Sequence, residues 1–188
     1  MVVPAGRYID VGLKGVDVIH SFWVPKLNGK KDVIPGHSQH TKLFADEPGE
    51  YWGQCAEFCG LSHANMRLRV VAKDPADFEK WMADQQKAAP TPEEGSDADK
   101  GLAIFKSEAR GCFGCHTIKG VSNGKIGPDL THLKSRATFA GSIFELTDHE
   151  LARWLRNPPK EKPGSVMPNL ELSEDEITQL VAYLNTLE

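Results

Sequence analysis

The sequence has no long apolar run. Its consecutive apolar stretches span only a few residues, against the ~20 that a bilayer-crossing helix needs, so no membrane span is expected in it. No charged-then-apolar signal opens the chain, since Met1-Val2-Val3-Pro4-Ala5-Gly6 is too short to be one. The sequence as it stands reads as soluble. It also lacks an excess of either charge: 22 Lys and Arg oppose 26 Asp and Glu, a formal net charge of −4. No stretch gathers basic residues on one face, so the chain is not built to neutralise phosphates and no nucleic-acid partner is expected. An apolar fraction of 40% with 26% charged residues excludes a disordered chain, a collagen and a coiled coil. Cysteine is scarce, at four residues, and where those four stand carries most of the information.

They fall into two pairs, Cys55 with Cys59 and Cys112 with Cys115. A polar stretch from Gln85 to Ser96 separates them, holding Pro90 and Pro92 and showing no apolar periodicity. It reads as an extended, solvated linker. The expected organisation is one domain over 1–83, a linker over 84–96 and a second domain over 97–188. Units of roughly 90 residues bury a modest core and often lean on a metal or a covalent staple.

In the second half, Cys112-Phe113-Gly114-Cys115-His116 is the C-x-x-C-H pattern of covalent haem attachment. Two thiols at this spacing can add to the two vinyl groups on one edge of a porphyrin. His116 then lands under the iron as an axial ligand. Met167 is the only methionine after the motif, because Met1, Met66 and Met82 precede the linker. A soft thioether completes six-coordination and raises the potential, and Pro163 and Pro168 stiffen the Met167 loop. A thioredoxin-like dithiol would want a βαβ setting, and a zinc site would want further ligands. A helix is predicted from Asp97 to about Ala109, with Leu102, Phe105 and Ala109 on one stripe. Capping boxes at Thr147 and Ser173 open two more. The first of these carries Leu151, Trp154 and Leu155 and closes at Asn157-Pro158-Pro159. The second carries Ile177, Leu180, Val181 and Leu184. The turn Gly127-Pro128-Asp129-Leu130 lets the chain pass close to the ring. Residues 97–188 resemble an all-α class I cytochrome c.

In the first half the periodicity changes to alternation. Strands are predicted at Tyr8–Lys14, Asp17–Phe22, His37–Ala45, Tyr51–Gln54 and Met66–Ala72. A helix capped by Asp74 follows, turning Phe78, Trp81 and Met82 inward. Between the last two strands, Cys55, Cys59, His63 and Met66 form C-x₃-C-x₃-H-x₂-M. Thiolate, imidazole and thioether form the donor set that selects copper over hard cations. Two thiolates four residues apart can bridge a pair of copper ions, and a second imidazole would then be needed from elsewhere. A Cys55–Cys59 disulfide, a Cys₂His₂ zinc site and Met66 as a plain core residue are the competing readings.

Three segments together resemble the CuA domain of cytochrome c oxidase subunit II: Asp17 to Pro25, Lys31 to Gly36, and the loop from Tyr51 to Met66. The resemblance runs from about Val2 to Ala83. It implies an all-β, cupredoxin-like Greek-key sandwich, N-terminally truncated. It also implies that Cys55 and Cys59 bridge two coppers and that His20 and His63 each bind one. Met66 and the backbone carbonyl of Glu57 would be weak ligands, one on each copper, with the Glu57 carboxylate reaching a magnesium shared with subunit I. With the cytochrome c half, the whole resembles subunit II of the caa-type oxidases of bacteria. Two membrane helices and the opening strands of that family are missing here, so either they were cut away or another chain supplies them.

The implied function is electron transfer on the outer, periplasmic or extracellular, face of a bacterial cytoplasmic membrane. Haem c would accept electrons from a small cytochrome c or a quinol-oxidising complex. They would pass to the dinuclear copper centre and then to haem a of subunit I, where oxygen is reduced to water with proton pumping. The other oxidase subunits are the implied partners, and the membrane is met through the complex or the missing helices. No oxygen-reducing or other catalytic residue is expected in this chain. The second reading is a soluble haem–copper carrier, or a redox module serving another reductase such as nitric oxide reductase. His37 and His40, three apart on one predicted strand, should face opposite ways. His132 and His149 are expected at the surface or at caps, and Trp52 as a packed residue.

Overall fold

A computed structural model describes residues 1–188. The chain divides into two compact units, residues 1–84 with 140–143 and residues 85–139 with 144–188. No helix is long and apolar enough to cross a membrane.

The first unit is mostly β, with strands β1 (Val2–Pro4), β2 (Tyr8–Leu13), β3 (His20–Trp23), β4 (Lys31–Val33), β5 (Gln39–Phe44), β6 (Gly49–Cys55) and β7 (Arg67–Lys73). Five of them form a sheet in the order β1-β7-β6-β3-β4, while β2 and β5 pair by themselves. Within the larger sheet β1 runs parallel to β7, and the other neighbours are antiparallel. Strand β2 alternates, with Ile9, Val11 and Leu13 half-buried between exposed Tyr8, Asp10 and Gly12, as a pleat with one covered face requires. Val3, Val70 and Ala72 of the larger sheet share a core with Leu43 of β5. Each fully buried Val or Leu of such a core contributes about 1.5–3 kcal/mol.

Two strands, β1 and β4, were not legible, because three residues are too few to show a period. His37 lies outside β5, which starts at Gln39 after the left-handed turn at Gly36 (φ +80°). Its neighbour His40 is on the strand, 3.2 Å from Asp10. Helix α1 (Pro75–Asp84) forms, but none of its residues is buried and Met82 is 39% exposed. Only the Phe78 and Trp81 rings pack together, at 5.8 Å. Trp52 is not packed away either: it is half-exposed, with the Arg69 guanidinium 5.4 Å from its ring centroid.

The second unit is helical: α2 (Asp97–Lys106), α3 (Cys112–Cys115), α4 (Asp148–Arg156), α5 (Pro158–Glu161) and α6 (Glu174–Leu184). Two-residue ladders join β8 (Thr117–Ile118) to β9 (Ser122–Asn123) and β10 (Thr138–Phe139) to β11 (Phe144–Glu145). Ser96 caps α2, accepting from the Asp99 N–H. The buried pair on α2 is Gly101 and Phe105, while Ala109 lies beyond the end of the helix. At Gly101 a Cβ would stand 2.7 Å from the Gln179 carbonyl carbon and 2.8 Å from the Tyr183 Cβ, so α2 crosses α6 at backbone contact. Ser173 and Glu176 form the reciprocal capping box of α6. At α4 Thr147 accepts from the Glu150 N–H, whereas the Glu150 carboxylate turns to His149 and Arg153. His132 stands at a cap, immediately before the 3₁₀ turn Leu133–Ser135, but it is buried, with Nδ1 2.5 Å from a main-chain oxygen of Glu188.

Candidate copper and haem sites

Register brings the first site together. Strands β3 and β6 are antiparallel neighbours with Phe22 opposite Cys55, and His20 lies two residues from Phe22, on the same face. The loop after β6 then folds back: the Cys55 N–H donates to the Met66 carbonyl at 2.9 Å, and the Ala56 N–H to that of Ser21 at 3.0 Å. A single 3₁₀ turn, His63–Asn65, carries His63 round to the same place.

The side chains converge in two halves. Cys55 Sγ lies 3.8 Å from His20 Nδ1 and 3.2 Å from the Glu57 carbonyl oxygen. Cys59 Sγ lies 3.6 Å from His63 Nδ1 and 3.8 Å from Met66 Sδ. The two sulfurs are 3.8 Å apart, and both are free thiols. The ligand atoms of His20, Cys55 and Cys59 lie within 4.8 Å of one another. The arrangement is near-symmetric: each half offers a thiol, an imidazole Nδ1 and one weaker donor. That donor set fits two soft metal ions sharing the sulfurs, and no carboxylate enters it.

Its electrostatics favour deprotonation at one sulfur. Burial pushes the Cys55 thiol up, but hydrogen bonds with the backbone at Ser21 and Glu57, and with His20 and Cys59, outweigh it and bring it down to about 7. Cys59 is pushed up, by burial and then by the neighbouring Cys55. The pair therefore loses its protons in two separated steps. In the metal-free chain, thiolate absorbance should rise first near pH 7 and again above the ordinary thiol range of about 8.5. A single step near 8.5 for both would contradict this geometry. Burial also works against charging His20, and its hydrogen bonds to Asp17 and Cys55 reverse it, leaving His20 raised. Asp17 Oδ1 accepts from His20 Nε2 at 3.0 Å.

The second site starts at Gly111, whose left-handed φ of +63° turns the chain into α3. Arg110 anchors this approach, donating to both Glu176 carboxylate oxygens at 2.8 Å and to the Leu170 carbonyl at 3.0 Å, a bidentate pairing with fixed geometry. Cys112 and Cys115 open and close that one turn, and His116 caps it. Burial holds the Cys112 thiol up. His116 Nδ1 lies 2.8 Å from the Pro128 carbonyl, which sets the proton on Nδ1 and leaves the Nε2 lone pair for a metal. Gly127 passes so close that a Cβ there would stand 2.5 Å from His116 Cε1. Met167 Sδ accepts from the Trp154 indole N–H at 3.2 Å. These residues supply the two thiols, the imidazole and the thioether that a covalently attached haem would need.

Asp17, Gly127, the Pro128 carbonyl and Trp154 were not among the expected site residues. The turn at Gly127 and the inward stripe through Trp154 were visible, but which side chain each would meet is a tertiary fact.

Residues 1–73 match the family model for the periplasmic domain of cytochrome c oxidase subunit II, and residues 98–188 match that for cytochrome c. The chain joins a subunit II periplasmic domain to a cytochrome c domain. Its fold class follows: a mostly-β, cupredoxin-like domain, then a helical cytochrome c domain. The first implies CuA copper and the second haem c. Cytochrome c oxidase subunit 2 of Alkalihalophilus pseudofirmus is 38% identical over 187 residues, covering 99% of this chain and 53% of that protein. The subunit 2 of Bacillus sp. strain PS3 is 32% identical over 200 residues, covering 100% of this chain and 55% of that protein. The chain thus spans about half the length of these relatives. The solved periplasmic domain of subunit II (CoxB) of Bradyrhizobium japonicum is 37% identical, with a TM-score of 0.44, over 46% of this chain and 62% of that one.

Proposed function

We propose that this chain carries electrons into a haem–copper oxidase, from a donor outside the membrane to the oxygen-reducing subunit. The observation that carries the reading is the convergence of His20, Cys55, Cys59, His63, Met66 and the Glu57 carbonyl in one loop cluster, in a chain that also holds a C-x-x-C-H motif. When bound, haem c and the copper pair would supply one-electron chemistry, with haem c on the donor's side of the relay and the copper pair on the side of haem a in subunit I.

The residues' own work is to hold and to tune. Cys55, Cys59, His20 and His63 would hold the copper, Cys55 and Cys59 sharing it between them, with Met66 and the Glu57 carbonyl as the weaker donors. Cys112 and Cys115 would tether the haem, and His116 and Met167 would hold its iron. The Pro128 carbonyl orients His116, and the Trp154 N–H holds the Met167 sulfur. Such outer contacts set potentials and keep rearrangement small on electron transfer. Two apolar side chains of the copper loop itself are exposed, Phe58 at 77% and Leu61 at 86%, which supports a protein partner there. We assign subunit I to that face, with the Glu57 carboxylate offered to a magnesium between the two subunits. The domain limits proposed are 1–83 and 97–188, on the outer face of a bacterial cytoplasmic membrane. Reduction of oxygen and proton translocation belong to the whole complex.

Electron injection by a photoreductant into the metal-loaded, fully oxidised protein tests the order. Haem c should be reduced first and then reoxidised as the copper absorbance bleaches. Copper bleaching with no haem intermediate, or a haem that stays reduced beside oxidised copper, would contradict the relay.

A further inference from the structure

The two imidazoles of the copper cluster sit in unlike surroundings. His20 turns Nδ1 towards Cys55 Sγ at 3.8 Å and sets Nε2 3.0 Å from Asp17 Oδ1. His63 turns Nδ1 towards Cys59 Sγ at 3.6 Å, but its ring meets the Phe58 ring edge-on, with centroids 5.6 Å apart. One histidine is therefore backed by a carboxylate and the other by an aromatic ring. A carboxylate accepting the distal N–H of a ligating histidine fixes its tautomer and makes it a stronger donor. Asp17 stands three residues before His20, outside strand β3, on a loop where its own side chain is 64% exposed. It can be replaced without disturbing the buried core.

We infer that Asp17 is a positioning residue that makes the copper pair electronically unequal, strengthening the donor on the His20 side. It holds the His20 ring with Nδ1 facing the sulfurs, and its charge favours the oxidised pair by pushing electron density through the imidazole. This rests on the copper reading above. Asp17 itself touches no metal, so its removal should leave both ions in place at saturating copper.

The test uses the full chain loaded with copper, as wild type and as Asp17→Asn, Asp17→Ala and Asp17→Glu. Copper content, the midpoint potential of the copper centre and its EPR hyperfine pattern are read for each. Asp17→Asn keeps an acceptor for Nε2 but loses the charge, and should raise the potential. Asp17→Ala loses both, should raise it further, and should weaken copper binding about 10–100-fold. Asp17→Glu should restore part of each change, which a merely structural role would not give. Two coppers in every variant with unchanged potential and hyperfine pattern would overturn the role of Asp17 and leave the copper reading intact. A wild-type chain that forms no paired copper centre would overturn both.

Discussion

Replacing Gly127 with alanine is expected to leave the haem covalently attached but to dislodge His116 from its iron. The backbone at Gly127 does not lie in the left-handed region, so alanine meets no backbone strain there. What it meets is the imidazole: its Cβ would stand 2.5 Å from Cε1 and 2.7 Å from Nδ1. Ordinary carbon contacts begin near 3.5 Å, so the ring must retreat by about 1 Å. That retreat breaks the 2.8 Å contact between Nδ1 and the Pro128 carbonyl, which orients the ring. Cys112 and Cys115 are unaffected and keep the haem bound. The spectrum of the variant should change from low-spin to largely high-spin at neutral pH, with a fall in haem potential. An unaltered low-spin spectrum would show that the loop yields instead of the ring.

The second large effect is on stability. Gly101→Ala should lower the melting temperature of the cytochrome c domain, although alanine is the better helix former by about 1 kcal/mol. The reason is the crossing of α2 on α6, where the added methyl runs into the Gln179 carbonyl and the Tyr183 Cβ. Backbone cannot swing aside as the end of a flexible side chain can. Forcing the helices apart also loosens Phe105 and Tyr183, whose rings lie 5.9 Å apart in the core. Overpacking costs typically 1–3 kcal/mol, occasionally more, and here the clash is with main chain. A net loss of about 2 kcal/mol corresponds to a fall in Tm on the order of 10 °C for a domain of roughly 90 residues. A raised Tm would mean that helix propensity outweighs the clash and that the two helices separate at little cost.

The parts of the sites written as contiguous motifs could be read directly. Cys112, Cys115 and His116 lie within five residues, and Cys55, Cys59, His63 and Met66 within twelve, so spacing alone restricts what they can do. The alternating strands, such as β2 and β7, and the capped helices α4 and α6 were equally visible, because one covered face imposes a period. His20 is different: thirty-five residues separate it from Cys55, and only strand pairing brings them together. Family resemblance pointed to it; periodicity did not. Asp17 behind His20, Trp154 behind Met167 and Gly127 against His116 were hidden for the same reason. Each is a contact made by the tertiary fold, and the residue types involved are common at surfaces, in cores and in turns. Met82 failed the other way. Its helical spacing suited a core position, but α1 buries none of its residues.

Metal analysis with low-temperature EPR on the oxidised, purified chain tests the paired copper centre itself. Two copper ions per haem iron are expected, with a hyperfine pattern of one unpaired electron shared over both coppers. A single copper with an unshared electron, a zinc ion in the loop, or a Cys55–Cys59 disulfide would contradict it.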